Sequence, residues 1–183
     1  MASDARVRYT KMVIVQNFAR LLKEKPINKI TVKEICNLAQ INRTTFYKHY
    51  LDVYDLLDKI EAQFLEELLS VLRSRENTTV KDMLSFIMVN FKAEEDTYKA
   101  ICSPNGDPTF PAKIFEVCHD VSLSSGVLDS GEVTAVQREW AYRFAANGCN
   151  GIINQWISEG MKEPISEVAD FAEQLVVNAL MNI

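Results

Sequence analysis

The sequence predicts an all-α fold of about nine helices, with a three-helix N-terminal head joined to a larger helical body. Three observations predict this class. Only 6 glycines and 5 prolines occur in 183 residues, so few positions interrupt a helix. Apolar residues recur at spacings of three and four along most of the chain. Residues typical of helix N-caps precede several of these apolar segments.

The head begins with two helices separated by a proline. Residues 5–24 carry apolar side chains at helical spacing, although their run MVIV alone is also compatible with a strand. Pro26 interrupts this helix. Thr31 and Glu34 then form a capping box, in which the hydroxyl accepts the Glu34 N–H and the carboxylate accepts the Thr31 N–H. A second, short helix is therefore predicted to begin at Val32.

A third helix follows after a turn of about three residues. Asn42 is an N-cap residue, and in the following RTTFYKHY the side chains of Phe46 and Tyr50 are spaced to anchor the helix to a core. Two short helices joined so tightly form a helix-turn-helix, whose second helix can lie in the major groove of DNA. Similar helical hairpins occur in proteins that do not bind nucleic acid. The outward residues of this helix are Arg43, Thr44, Thr45, Tyr47, Lys48 and His49.

These outward side chains suit DNA for separate chemical reasons. Arg43 can donate two parallel hydrogen bonds to guanine, and the two threonines after it offer hydroxyl and methyl groups to base edges. Lys48 adds a positive charge for phosphate. Tyr47 and His49 can donate to phosphate oxygens, or can pack against the protein instead. Thr31 stands at a helix N-terminus, where backbone N–H groups suit a phosphate.

Charge is distributed unevenly along the chain. The net charge is −5, yet residues 1–50 hold ten Lys and Arg against three Asp and Glu, whereas residues 51–183 hold ten against 22. A basic N-terminal third on an acidic body is expected of a protein whose one end meets a polyanion. A solvated basic face without any partner would give the same charge pattern.

The segment ITVKEICNLAQINRTTFYKHYLDVYDLL as a whole resembles the N-terminal DNA-binding domain of the TetR family of bacterial one-component regulators, over about residues 10–60. The resemblance implies that Thr31 and the outward residues of the third helix contact DNA. Positions that agree with the family pattern are Thr31, Ile35, Ala39, Phe46, Tyr47, His49, Tyr50 and Leu56.

Three positions depart from the family pattern. Cys36 stands where alanine is usual, and Val53 stands where a lysine often contacts phosphate, which implies one phosphate contact fewer. Gln40 replaces the glycine of the turn, so a residue with a side chain must adopt nearly left-handed geometry there. None of these changes removes the base-reading helix.

The body is predicted to be helical throughout, with loops at 103–111 and around Gly126 and Gly131. Asp52 and Thr79 are predicted N-caps. The predicted helices span residues 53–73, a segment from Thr79, a short piece around Tyr98, residues 112–124, residues 133–159 and a segment from about Glu167.

The last two helices carry wide apolar stripes. In the family the corresponding helices of two subunits form a four-helix bundle, so the resemblance implies a homodimer. Gly148 and Gly151 inside the first of these helices favour close approach by another helix or room for a ligand. The segment NGIINQWISEGMKEP resembles one subgroup of these regulators. The predicted interface residues are Trp140, Gly148, Ile152, Trp156, Phe171, Leu175 and Ala179.

The resemblance also implies a cavity for a small-molecule effector in the body, which no residue pattern identifies further. The alternative for each candidate residue is ordinary core packing. The candidates, which mix aromatic walls with a few polar groups, are Phe86, Asn90, Tyr98, Phe115, His119, Tyr142 and Phe144.

Catalysis, cofactors and metal binding are not expected. The sequence has no glycine-rich phosphate loop, no nucleophile elbow and no paired-histidine motif. Cys118 and His119 are adjacent on a helix and so point about 100° apart, which does not suit a shared metal ion. The four cysteines are widely spaced and are expected to be reduced and mostly buried.

The sequence predicts a cytoplasmic protein, because the longest uncharged stretch, residues 144–158, is too short and too polar to span a bilayer and no secretory signal is evident. Residues 1–52 are predicted to form the DNA-binding domain and residues 53–183 the effector-binding and dimerisation domain. The expected function is a repressor that an effector releases from a pseudo-palindromic operator. An activator, control by a protein partner, and an interaction module that no longer reads DNA stay open.

Overall fold

A computed structural model describes residues 2–73, 79–124 and 134–180, and every regular element within these ranges is helical. The prediction of an all-α fold of about nine helices is confirmed. The helices are α1 (Ala2–Glu24), α2 (Val32–Leu38), α3 (Arg43–Tyr47), α4 (Val53–Arg73), α5 (Val80–Ala93), α6 (Glu95–Ile101), α7 (Phe110–Ser124), α8 (Ala135–Ser158) and α9 (Ile165–Leu180), with a 3₁₀ turn at Ile27–Lys29.

The predicted helix starts agree closely with the observed ones where a capping residue marks them. α2 and α3 begin directly after Thr31 and Asn42, and α4 begins after Asp52, whose carboxylate accepts the N–H groups of two residues in its first turn. The MVIV run lies inside α1, so the strand alternative is wrong. α3 is shorter than its sequence pattern indicates and ends at Tyr47. The predicted loop at Gly126 and Gly131 lies outside the described residues.

The described residues fall into two compact units. The N-terminal unit contains the residues up to Phe64 together with Glu94–Phe110, and the C-terminal unit contains Leu65–Ala93 and the residues from Pro111 onward. The predicted boundary between residues 52 and 53 separates a DNA-binding domain from an effector-binding domain. This functional division stays a prediction.

The core of the N-terminal unit collects apolar side chains from α1 to α4. Burying a large aliphatic or aromatic side chain of this kind contributes about 1.5–3 kcal/mol each to folding. A separate aromatic cluster forms around Phe64, whose ring centre lies 5.2 Å from that of Tyr98 and 5.7 Å from that of Phe110. The fully buried side chains of the first group include Ile14, Phe18, Leu22, Ile35, Phe46 and Leu56.

The loop between α6 and α7 is tied to the end of α1 within the same unit. The Asn105 side-chain amide donates to the Leu22 carbonyl at 2.8 Å, and the Asn105 carbonyl accepts the Ile27 N–H at 2.9 Å. A Cβ atom on Gly106 would lie 2.3 Å from the Ile101 carbonyl oxygen, so this close approach requires glycine. These contacts fix the turn that precedes α2.

In the C-terminal unit α5 packs along α9 and α8 joins α9 through a tight turn. Lys81 pairs with Asp170 of α9, and the Lys81 N–H donates to the Glu173 carboxylate at 3.1 Å. The turn after α8 contains two consecutive residues in the left-handed region, Gly160 (φ 87°) and Met161 (φ 54°). The helix predicted over residues 133–159 therefore ends where the sequence indicates, with its last residue at Ser158. Among the helices described, none is long and apolar enough to cross a membrane.

Candidate nucleic-acid interface

The start of α2 is fixed by the predicted capping box. The Thr31 hydroxyl and N–H both donate to Glu34 Oε2, at 2.8 and 3.0 Å, and the Glu34 N–H donates back to the hydroxyl at 3.3 Å. Lys25 donates to the other carboxylate oxygen, and this bond together with those from Thr31 lowers the pKa of Glu34 to about 2. The Thr31 hydroxyl proton is therefore already engaged inside the cap. A phosphate contact by Thr31 stays a prediction.

The turn between α2 and α3 has the geometry that the sequence predicts. Gln40 has φ 52°, in the left-handed region, and the Ile41 N–H donates to the Cys36 carbonyl at 3.0 Å to close the turn. A non-glycine residue there costs about 1–2 kcal/mol of conformational strain. This turn joins α2 directly to α3, and the two helices pack against each other.

The N-terminal end of α3 is held by Asn42. Its side-chain oxygen accepts both the N–H of Thr45, at 2.7 Å, and the Thr45 hydroxyl, at 2.9 Å. The hydroxyl of Thr45 is thus committed as a donor, which leaves its methyl group and its lone pairs for any other contact. Phe46 and Tyr50 are buried with ring centres 5.5 Å apart, so their predicted role as anchors is confirmed.

The side chains predicted to contact DNA surround this anchored helix. Tyr47 is 54% exposed although one edge of its ring meets Phe46. Thr45 and His49 are half-buried. The structure therefore presents these side chains on α3 and the turn after it, except for Thr31, which caps α2. The exposed members of the set are Thr31, Arg43, Thr44, Tyr47 and Lys48.

The electrostatic surroundings of α3 are basic. The pKa of His49 is lowered from its ordinary value, first by burial and then by the positive charges of Lys11, Lys48 and Lys59. Lys11 and Lys59 were not among the residues that the sequence singled out. Lys11 lies within the first 50 residues, where the excess of basic residues indicates a basic surface. Lys59 lies in the acidic part of the chain, so the charge distribution gives no indication of its role.

Three of the effector-site candidates meet in the C-terminal unit. The Tyr142 hydroxyl donates to the Phe115 carbonyl, and the rings of His119 and Tyr142 have centres 4.3 Å apart. His119 Nε2 lies 2.8 Å from Glu139 Oε2 at an angle too poor for a hydrogen bond. Burial is the main cause that raises the pKa of Tyr142.

The remaining effector-site candidates lie in other parts of the structure. Phe86 and Asn90 lie half-buried on α5, where the Asn90 amide donates to the Phe86 carbonyl at 2.9 Å. Tyr98 belongs to the N-terminal unit and packs against Phe64. Phe144 is 71% exposed on α8, which matches the predicted interface better than a cavity wall.

The interface candidates on α8 and α9 differ in exposure. Trp140, Phe171 and Leu175 are exposed, and a Cβ on Gly148 would meet nothing within 4 Å. Trp156 is only 3% exposed, and its indole N–H donates to the Glu163 carbonyl at 3.0 Å. Trp156 is therefore a core residue of its own subunit. Ile152 and Ala179 are half-buried.

The cysteines are free thiols, of which Cys102 is half-buried and the other three are buried. Burial raises the pKa of Cys102 and Cys118 to about 12 and that of Cys149 to about 11. Since the thiolate is the nucleophile, these thiols are inert at neutral pH. No group of His, Cys, Asp or Glu in the described ranges is arranged to hold a metal ion.

The sequence matches one family of regulators over more than half its length. A TetR family model described as the transcriptional regulator C-terminal region covers residues 78–178. The chain therefore belongs to the TetR family of transcriptional regulators. No curated protein matches it in sequence.

Solved structures share the whole fold at low sequence identity. The dihydroxyacetone kinase operon activator DhaS is 17% identical with a TM-score of 0.66, over 95% of this chain and 97% of its own. A TetR transcriptional regulator from Streptococcus agalactiae 2603V is 24% identical with a TM-score of 0.63, over 96% and 98%. The regulator FadR from Bacillus subtilis, in complex with stearoyl-CoA, is 15% identical with a TM-score of 0.63, over 92% and 98%. This likeness establishes the fold alone.

Proposed function

We propose that this protein is a homodimeric, cytoplasmic regulator that binds a pseudo-palindromic operator in double-stranded DNA. The observation that carries the proposal is the geometry of α3. Asn42 fixes its first turn and the buried Phe46 anchors it, so that Arg43, Thr44 and Lys48 extend into solvent beside a basic surface. An anchored helix with free side chains at its N-terminus is the arrangement by which a helix-turn-helix reads bases.

Each residue of the set has a distinct proposed role. Arg43 donates to guanine, and Thr44 uses a hydroxyl at a base edge. Thr45 contributes a methyl group, because its hydroxyl already donates to Asn42. The phosphate contacts are assigned to Tyr47, Lys48 and His49 and, at Thr31, to the backbone N–H groups at the start of α2, because the Thr31 hydroxyl donates within the cap.

Dimerisation is proposed to occur through the exposed apolar side chains of α8 and α9. Trp140 and Phe144 are more than half exposed on α8, as is Phe171 on α9. Large apolar side chains exposed together on two long helices are typical of an interface. A palindromic site requires a two-fold dimer whose two copies of α3 lie about one DNA turn apart.

An effector is proposed to bind the C-terminal unit and to release the operator by favouring a form with mis-spaced heads. Phe115, His119 and Tyr142 are the candidates that the fold brings together, with Phe86 and Asn90 of α5 as further candidates. The stearoyl-CoA bound to FadR supports a small-molecule effector. Repression is the default form of the proposal, and activation is the second candidate because DhaS is an operon activator.

The test is to capture DNA with the purified protein. Sheared DNA from the source genome is incubated with it at near-physiological salt, and the retained fragments are sequenced. One enriched pseudo-palindrome supports the proposal, and its neighbouring genes narrow the effector. If a dimer confirmed by light scattering enriches no site, with or without dialysis to remove a bound inducer, the interaction-module alternative replaces the regulator.

A further inference from the structure

The segment that follows the recognition helix is held by two side chains of α4. Lys59 Nζ donates to the His49 carbonyl at 3.0 Å and to Asp55 Oδ2 at 2.9 Å. The same Asp55 oxygen accepts the Leu51 N–H at 2.7 Å, and Lys59 Nζ lies 5.7 Å from the centre of the Tyr50 ring. One Asp–Lys pair therefore contacts three successive residues: the carbonyl of residue 49, the ring of residue 50 and the amide of residue 51.

The recognition helix needs external support at this end. α3 contains only five residues, and so short a helix is not stable by its own hydrogen bonds. Asn42 holds its N-terminus and Phe46 its middle. The last carbonyl groups of a helix lack partners inside it and form the negative end of its dipole, and the His49 carbonyl follows this end of α3 by two residues. The ammonium group of Lys59 supplies a positive charge and a hydrogen bond at that point.

The role of Lys59 differs from that of the other exposed lysines near α3. The Lys59 side chain is itself 51% exposed, but two of its three donors are committed to protein acceptors, which fixes the position of the ammonium group. A lysine that served only to attract phosphate would gain nothing from a neighbouring carboxylate, because the carboxylate cancels its charge.

We infer that Lys59 and Asp55 position the recognition helix for DNA binding, by fixing residues 49–51 at its C-terminal end without reading bases themselves. This inference rests on the proposed DNA-binding function. It extends that function to two residues of α4 that lie outside the helix-turn-helix sequence.

The first test replaces Lys59 and measures operator affinity against salt concentration, with the enriched site as probe. K59M is expected to bind about tenfold more weakly, since a hydrogen bond to a charged group is lost, while K59R, which can still donate to both acceptors, retains most of the affinity. The slope of log affinity against log salt should not change. K99M is the matched control, because Lys99 forms a similar i,i+4 pair with Glu95 on α6.

The second test changes Asp55. For this substitution the positioning role and bulk electrostatics predict opposite changes in operator affinity. D55N removes a negative charge near the DNA-facing surface, so electrostatic attraction alone predicts tighter binding. The positioning role predicts severalfold weaker binding, because the neutral amide oxygen of asparagine is a weaker acceptor than the carboxylate for both the ammonium group and the Leu51 N–H. D58N is the control, since Asp58 is exposed on the same helix. Circular dichroism on each variant confirms that the folded protein is compared.

The outcomes separate this inference from the proposed function. Weaker binding by both K59M and D55N, at an unchanged salt slope, supports positioning. Wild-type affinity in K59M, tighter binding by D55N, or a slope reduced by about 0.9 per subunit, as for a lost phosphate contact, would overturn it. If the wild-type protein itself binds no specific DNA site, the proposed function is wrong, and the inference that rests on it is wrong as well.

Discussion

At the scale of single residues, the helix caps restrict which hydrogen bonds the proposed DNA-contacting side chains can donate. The hydroxyl groups of Thr31 and Thr45 both donate to acceptors inside their own helix caps. A hydroxyl has one proton, so neither can also donate to DNA unless its cap bond breaks. The sequence shows which residues stand at the caps, but the direction of each hydroxyl depends on the folded cap. Arg43 and Thr44 are therefore left as the main candidates for donors to base edges.

Replacing Arg43 with alanine should weaken operator binding by about 1–3 kcal/mol and relax specificity at a single base position. The physical reason is the loss of two parallel hydrogen bonds to one guanine. Affinities for an operator series with each position varied in turn measure the effect. An unchanged affinity for the defined site would show that α3 is not the recognition helix.

The charge of His49 should depend on bound DNA. Burial and three nearby lysines lower its pKa below the ordinary value of 6.5, so in the free protein it is neutral at pH 7. An adjacent phosphate favours the imidazolium form and raises the pKa. Operator affinity should therefore increase as the pH falls through the window between the bound and free pKa values.

NMR titration of the imidazole protons measures both pKa values directly, since the chain has only 2 histidines. H49Q is the variant to compare, and it should lose this part of the pH dependence. Equal pKa values for His49 in the free and bound protein would mean that it packs against the protein and does not contact phosphate.

At the scale of elements, the α6–α7 loop supports the end of α1 and the turn before α2 from a distant part of the sequence. Asn105 holds the end of α1 and the turn before α2, and the loop reaches that position only because Gly106 lies against a backbone carbonyl. The sequence predicts the loop from its Pro and Gly content, but it does not show that the loop belongs to the N-terminal unit. Such contacts between distant segments are invisible to local periodicity.

The G106A variant should lose about 1–3 kcal/mol of unfolding free energy, because an added methyl group must push the loop away from a rigid backbone oxygen. Urea denaturation measures the change. G151A is the matched control, since its Cβ meets nothing within 4 Å and alanine is the better helix former. A G106A protein as stable as the wild type would show that the loop relaxes without cost.

At the scale of the whole molecule, the apolar stripe of α8 winds around the helix, from a solvent-exposed face near Trp140 to the protein core at Trp156. Residues at steps of four advance about 40° per step around a helix, so Trp140 and Trp156 point about 160° apart. This rotation explains why Trp140 is 65% exposed whereas Trp156 is in the core. The stripe that the sequence pattern treats as one interface is therefore shared between a solvent-facing surface and the interior.

The W140E variant should shift the protein from dimer to monomer, since large apolar side chains at the centre of an interface contribute about 2 kcal/mol or more each to association. Light scattering or sedimentation over a range of concentrations measures the change. V89E is the control, because Val89 is an exposed apolar residue of α5 outside the predicted interface. If W140E and the wild type dimerise equally, the interface lies elsewhere.

Residues close together in the chain were enough to predict most of the helices and the candidate recognition helix. Caps, breakers and apolar spacing are local properties, so the starts of α2 and α3 and the anchors Phe46 and Tyr50 follow from nearby residues. The left-handed geometry of Gln40 was instead implied by the resemblance to the family, in which a glycine occupies this turn. Only the tertiary structure decided which side of α8 is buried, that Tyr98 belongs to the N-terminal unit, and that Lys59 holds the end of α3. Periodicity shows which residues share a helix face, but the neighbour that covers the face is set by packing of the whole chain.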